Sequence, residues 1–312
     1  MMTLEGVDWR NVREVFKHIL GELGIENLST SLVKCDYDKL RKAHNSIHMF
    51  IYISVLCFPE ERRDVSWHQH SAFIIYQWEA FYTAHRALIE ALSGYYNAAY
   101  SLLRVTLELI LKGALWECLA HRKYRDSAWI TRTSGIKVDS CKITLLDWFN
   151  DIFKLNPRIE DEFERISASI YDKIYPLLEN PELGGLINRI RIRDVIKQLF
   201  EWGILRPVEN PDTIYEMYRY LSREVHVMPN RTDIGRRILC GGEPFNVELL
   251  VEELEKLFEQ LNRLMDIGII VELNILEDWI NGSERVKDKL KKIVPDLKGL
   301  QLINAVQRIN ML

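Results

Sequence analysis

An arginine and a histidine two helical turns apart are the residues of this chain best suited to chemistry. They lie in Tyr218-Arg219-Tyr220-Leu221-Ser222-Arg223-Glu224-Val225-His226, inside a helix-period pattern over 211–227. Seven positions separate Arg219 from His226, so their side chains fall within about 20° of each other around the axis and about 10 Å apart along it. Ser222 and Arg223 are read on the same strip, with Met217, Leu221 and Val225 facing the other way, toward a core. This pairing suits phosphodiester cleavage. RNA carries its own nucleophile, the 2′-OH, so cleavage needs only proton transfer and stabilisation of phosphate charge. An imidazole near its ordinary pKa does the first, and the planar fork of an arginine does the second. Ser222 is spaced to orient His226. The structural alternative is that His226 sits as a favourable cation at a helix C-terminus that Pro229 ends.

The neighbourhood is locally basic. Arg219, Arg223, Arg231, Arg236 and Arg237 stand against Glu224 and Asp233, a track that Arg189, Arg191 and Arg193 would extend. Tyr215, Tyr218 and Tyr220 interleave with it and could stack bases, although Tyr218 reads as a packing residue. A second stripe lies on the helix expected from Tyr95 to His121, which is apolar almost all round and belongs at the centre of the body. Its polar residues Asn97, Ser101, Arg104, Glu108 and Lys112 recur at spacings of three and four, within an arc of about 80°. Charges on such a helix need partners. They form either a structural ion-pair ladder or the floor of a cleft facing the Arg219/His226 stripe, and the two readings are compatible.

Composition narrows the classes. The chain has 312 residues, 47% of them hydrophobic, enough for a core without staples or metals. Its net charge of −4 provides no global basic field, so nucleic-acid contact has to be local. Five cysteines, odd in number and without a C-x-x-C, read as reduced thiols. No signal peptide is read, and the longest apolar run, Met49 to Phe58, is too short to span a bilayer. A cytoplasmic location without membrane attachment is expected. His68 and His70 form an H-x-H pair, but on a helix their rings point about 160° apart, so no metal site and no cofactor is assigned. Phosphate loops, dinucleotide fingerprints and nucleophile elbows are missing from the sequence.

Helix-period patterns run through the chain, and no convincing run of alternating strands interrupts them. Helices are expected over 8–23, 37–57, 66–92 with Ser66 as cap and Gly94 as stop, and 95–121. An exposed loop follows over 123–142, then a helical hairpin, 145–155 and 158–178. Further helices are expected over 186–202, 211–227 and 246–280, the last bent at Gly268, and two short ones over 283–293 and 297–309. The aromatic run Tyr76, Trp78, Phe81 and Tyr82 reads as core or dimer surface. The prediction is an all-α helical bundle. Residues 1–64 pack as N-terminal helices on a core at 65–280, which carries an insertion at about 123–205, and 281–312 form C-terminal helices.

Two of these helices resemble a known family. Gly94-Tyr95-Tyr96-Asn97-Ala98-Ala99, followed by Leu103, Glu108 and Lys112-Gly113-Ala114-Leu115, is similar to the signature helix of the HEPN superfamily. Members also carry an Arg-x(4–6)-His motif on a later helix, which Arg219 and His226 fit at the longest spacing. Tyr220 departs from the polar residue that often follows the arginine. The resemblance covers about 50 residues in two pieces, and the insertion and added helices mark a divergent branch. It implies a HEPN-like core and a metal-independent endoribonuclease, often a toxin or antiviral effector controlled by an antitoxin or other regulatory protein. It implies a homodimer with two Arg/His pairs at one cleft. His226 would be the general acid/base and Arg219 the phosphate clamp, with Ser222, Arg223, Arg104, Glu108, Asn97 and Arg231 in support. Many relatives are inactive, so the alternative is a non-catalytic module that binds a nucleotide or a protein partner through the same cleft.

Overall fold

Alanines at 80, 84, 87 and 91, spaced four, three and four apart, give one helix a smooth face, and all four are fully buried. The structure, a computed structural model, describes residues 11–15, 25–57, 71–120, 124, 127–129, 135–138, 141–144, 190–223 and 249–312. Its helices are α1 (Ile25–Lys34), α2 (Tyr37–Cys57), α3 (Ala72–Leu92), α4 (Tyr96–Ala120), α5 (Ile192–Glu201), α6 (Pro211–Ser222), α7 (Val251–Ile275), α8 (Glu277–Asn281), α9 (Glu284–Gly299) and α10 (Ile303–Asn310). α3 packs along α4, the most extensive helix pair among the described residues. α4 is buried through Ala99, Leu103, Leu107, Ile110, Leu111, Ala114 and Leu115, but the expected burial nearly all round is not met: Ala98 and Val105 are exposed, and Leu102 and Leu109 are half-buried. Between the two helices, a Cβ on Gly113 would stand 2.6 Å from Tyr76 Cβ.

α2 and α7 pack together and against this pair, while α5 and α6 cover α4 from another side. α9 and α10 close the body against α2 and α7. The fold is an all-α bundle, and no described helix is long and apolar enough to cross a membrane.

Several boundaries differ from expectation. Gly268 does not interrupt its helix: α7 runs unbroken through it. A Cβ there would meet the Phe50 ring at 2.9 Å and Ile110 Cδ1 at 3.1 Å, so the glycine lets α7 approach α2 and α4. The cap of α3 is Ser71, whose Oγ accepts from Ile74 N, and not Ser66. Gly94, at φ 90°, follows the end of α3 as predicted. α1 was not expected at all. Pro295 sits inside α9 and does not separate two helices, because the buried face Leu290, Ile293 and Leu297 continues past it. Within the expected loop 123–142 and just beyond it, Gly135–Val138 and Cys141–Thr144 pair as an antiparallel hairpin, β1 and β2. The expected helical hairpin over 145–178 and most of the helix over 8–23 lie outside the described residues.

Candidate functional site

α6 begins with Asn210, whose side chain accepts from Asp212 N, and with Pro211 at its first position, so its start is defined by capping. Its apolar stripe of Ile214, Met217 and Leu221 is buried. Two polar stripes flank it, and they meet different neighbours.

The first stripe meets the α4 seam. Arg104 Nε donates to Glu108 Oε1 at 3.0 Å, and Lys112 Nζ donates to Oε2 at 3.2 Å. Tyr218 of α6 donates its hydroxyl to Glu108 Oε1 at 3.2 Å, and the Arg104 guanidinium stands 5.6 Å from the Tyr218 ring centre. Burial pushes the Glu108 carboxyl up, but the hydrogen bond from Arg104 and the charge of Lys112 outweigh it and leave its pKa lowered. Burial and the Glu108 charge raise the Tyr218 phenol, so the hydroxyl remains a donor. The seam is therefore an ion-pair ladder that locks α6 through tyrosines. Tyr100 and Tyr220 add an edge-to-face contact with ring centres 5.8 Å apart.

The second stripe opens into a groove against α7. A cavity of about 440 Å³ is lined by Thr213, Glu216, Met217, Tyr220, Gln260 and three arginines, Arg219, Arg223 and Arg263. All three arginines are exposed, and Arg223 lies over the Tyr220 ring at 5.5 Å. A planar, multi-donor cation set of this kind suits phosphate oxygens. Arg104 and Glu108 do not line this groove, so the seam is not its floor. Asn97 is exposed in the first turn of α4, its carbonyl accepting from Ser101 Oγ at 2.7 Å.

Ser222 departs from its expected strip. It is buried, and its hydroxyl donates to Tyr218 O at 2.7 Å, a local helix bond that occupies its one hydrogen. It can meet His226 only as an acceptor. His226 and Arg231 lie outside the described residues, as do His68 and His70. Farther along the track, Arg191 is paired with Asp194 at 2.8 Å and Arg193 lies over Tyr215 at 5.3 Å; neither lines the groove.

Two features escaped the sequence reading. Arg263 is 40 positions beyond Arg223, and only the fold, in which α6 and α7 both pack on α4, brings them to one groove. The other is a histidine cluster: His44 and His48 on α2 meet His85 of α3, with one ring nitrogen of each within 4.8 Å of the other two. Its detectable signal was His44-x-x-x-His48, a spacing that puts both rings on one helix face. His48 has its pKa lowered, by burial first and then by the two neighbouring imidazoles.

Fold and site together define an all-α bundle with an arginine-lined groove. No protein-family model, curated protein or solved structure matches this chain.

Proposed function

We propose that this chain is a divergent HEPN-type endoribonuclease of the cytoplasm, which holds RNA phosphates in the groove between α6 and α7 and cleaves without a metal ion. Arg219 would clamp the scissile phosphate and His226 would carry the proton. Arg223 and Arg263 would bind flanking phosphates. The observation that carries this reading is the groove: three exposed arginines from two helices share one cavity, on a helix whose other polar stripe is locked to the core by Glu108. A chain with net charge −4 has no diffuse basic field, so three cations gathered in one concavity are a specific feature. Arg231 follows in sequence and would lengthen the track. In this reading two copies pair to bring two Arg/His sets together, in a toxin or defence setting with an antitoxin or other regulator.

A second reading is favoured by the same lining. The described groove residues include no histidine, and Glu216 is the sole carboxylate beside the arginines. The groove would then bind a nucleotide or a protein partner without cutting anything.

Purified protein incubated with a mixed RNA substrate in EDTA tests the first reading. Cleavage should persist, fall at least about 100-fold in His226→Ala and fall comparably in Arg219→Ala. Binding without cleavage would leave the second reading. Failure of Arg219→Ala to change either binding or cleavage would remove both.

A further inference from the structure

We propose that His44, His48 and His85 form a binding site for a zinc-class divalent ion, held by three imidazole nitrogens with water as the fourth ligand. The inference is independent of the RNA reading, since the two sites share no residue.

Two of the three nitrogen separations match those of ligands on one ion, and the third, between His44 and His85, is within 4.8 Å. His48 Nε2 lies 3.2 Å from His44 Nε2 and 3.4 Å from His85 Nε2. Two imidazole nitrogens on a tetrahedral zinc, each at about 2.0–2.1 Å from the metal, stand about 3.3 Å apart. A carbonyl or amide oxygen accepts and cannot donate, which fixes the tautomers of two rings. His85 Nδ1 faces Phe81 O at 3.0 Å, and His44 Nδ1 faces Asn45 Oδ1 at 3.2 Å. Each Nδ1 therefore carries the hydrogen, and each Nε2 presents a lone pair toward the cluster. His48 stands between two bare nitrogens, and a single N–H on it can satisfy only one of them. A cation among them can take a lone pair from all three, with the proton of His48 on its Nδ1.

The surroundings match a metal site. The Nδ1–H···O contacts of His44 and His85 are the outer partners that orient ligating histidines and raise their basicity. The helices that hold the rings are fixed: Ala43, Ile47 and Ala84, next to the three histidines in sequence, are fully buried. Phe81 packs edge-on to His85 and His48, with ring centres 4.4 and 5.6 Å away, limiting their rotation. His48 and Phe81 also line a cavity of about 660 Å³, which leaves space beside the site for an exchangeable ligand. Three neutral nitrogen donors favour zinc and its first-row neighbours over calcium or magnesium, which require oxygen. An ion here would tie α2 to α3 through side chains and stabilise the fold.

The full chain, stripped with a chelator and dialysed, is titrated with Zn²⁺ against a chromophoric competitor, and Co²⁺ is used as a spectroscopic probe. One equivalent should bind, raise the melting temperature, and with Co²⁺ give the visible bands of a four-coordinate ion. Because His44 and His48 are exposed, His44→Ala with His48→Ala should fold and lose at least about 100-fold in affinity; His85→Gln should abolish the Co²⁺ bands, and Asn45→Leu should weaken binding about tenfold. His68→Ala with His70→Ala should change nothing. Substoichiometric binding, or unchanged affinity in the His44/His48 double variant, would overturn the site. The readout is metal itself, so it stands or falls separately from RNA cleavage in EDTA.

Discussion

A serine hydroxyl has one hydrogen to give, and in the core Ser54 faces two acceptors. Its Oγ lies 2.6 Å from Gln77 Oε1 and in short contact with Glu272 Oε1, while Gln77 Nε2 donates to Phe50 O at 2.8 Å. Gln77 is oriented by that last bond, so Ser54 must give its hydrogen to Gln77 and receive one from Glu272. The carboxyl is then protonated. Burial points the same way and holds its pKa well above the usual carboxylate range. The other oxygen, Oε2, is buried with no partner, which a charged group could not tolerate cheaply. The sign for stability follows. A carboxyl with folded pKa above its unfolded value of about 4.3 contributes stability that is complete below that value and is lost as pH rises through the folded pKa. Glu272→Gln keeps the neutral form at every pH. Wild type should lose urea-midpoint stability relative to Glu272→Gln as pH is raised above the ordinary carboxylate range. Parallel pH profiles for the two proteins would show that the proton assignment is wrong.

At the scale of elements, the bundle is set by close approaches that only small residues permit. Gly268 is the sharper case, because its missing Cβ is replaced by the Phe50 ring and the Ile110 methyl, both belonging to buried, closely packed side chains. Gly268→Ala should gain helix propensity of about 1 kcal/mol and lose about 1–3 kcal/mol to overpacking. A net loss of denaturant midpoint is expected, and a gain would mean that α2 and α4 can retreat. The same physics decides what was legible from the chain. Long helices were, because a 3.6-residue period and a stop such as Gly94 are local signals. α1 was not: it is short, and Ser31, fully buried, donates to Leu92 O at 2.5 Å across 61 positions. The α4 seam was legible as a ladder because Arg104, Glu108 and Lys112 satisfy one another within one helix. Which helix would face it was not, and tyrosines took the place expected for Arg219. The groove and the histidine cluster needed residues 40 and 37 positions apart to meet, a fact carried by packing and not by spacing.

For the molecule as a whole, distant segments are tied by buried polar bonds. Asp266 of α7 accepts from Asn304 N and Ala305 N at the start of α10, and burial raises its pKa against those donors. Arg308 bridges Asn274 and Glu277, while Asn274 Nδ2 donates to Ile204 O and Arg206 O. α7 therefore holds both the C-terminal helices and the turn that leads into α6, and the same α7 supplies Arg263 to the groove. The electrostatics of the whole chain make this groove testable against the background. With a net charge of −4, an RNA strand meets no general attraction, and salt dependence should report the local cations alone. Three phosphate contacts on single-stranded RNA predict a slope of log K against log salt of about −2, each arginine contributing about −0.7. Arg263→Ala should weaken binding of unstructured RNA, measured by fluorescence anisotropy, and reduce the slope magnitude by about 0.7. Arg191→Ala, whose guanidinium is already engaged by Asp194, should leave the slope unchanged. If the two variants shift the slope equally, RNA is held by diffuse surface charge, and the three-arginine groove is not the binding site.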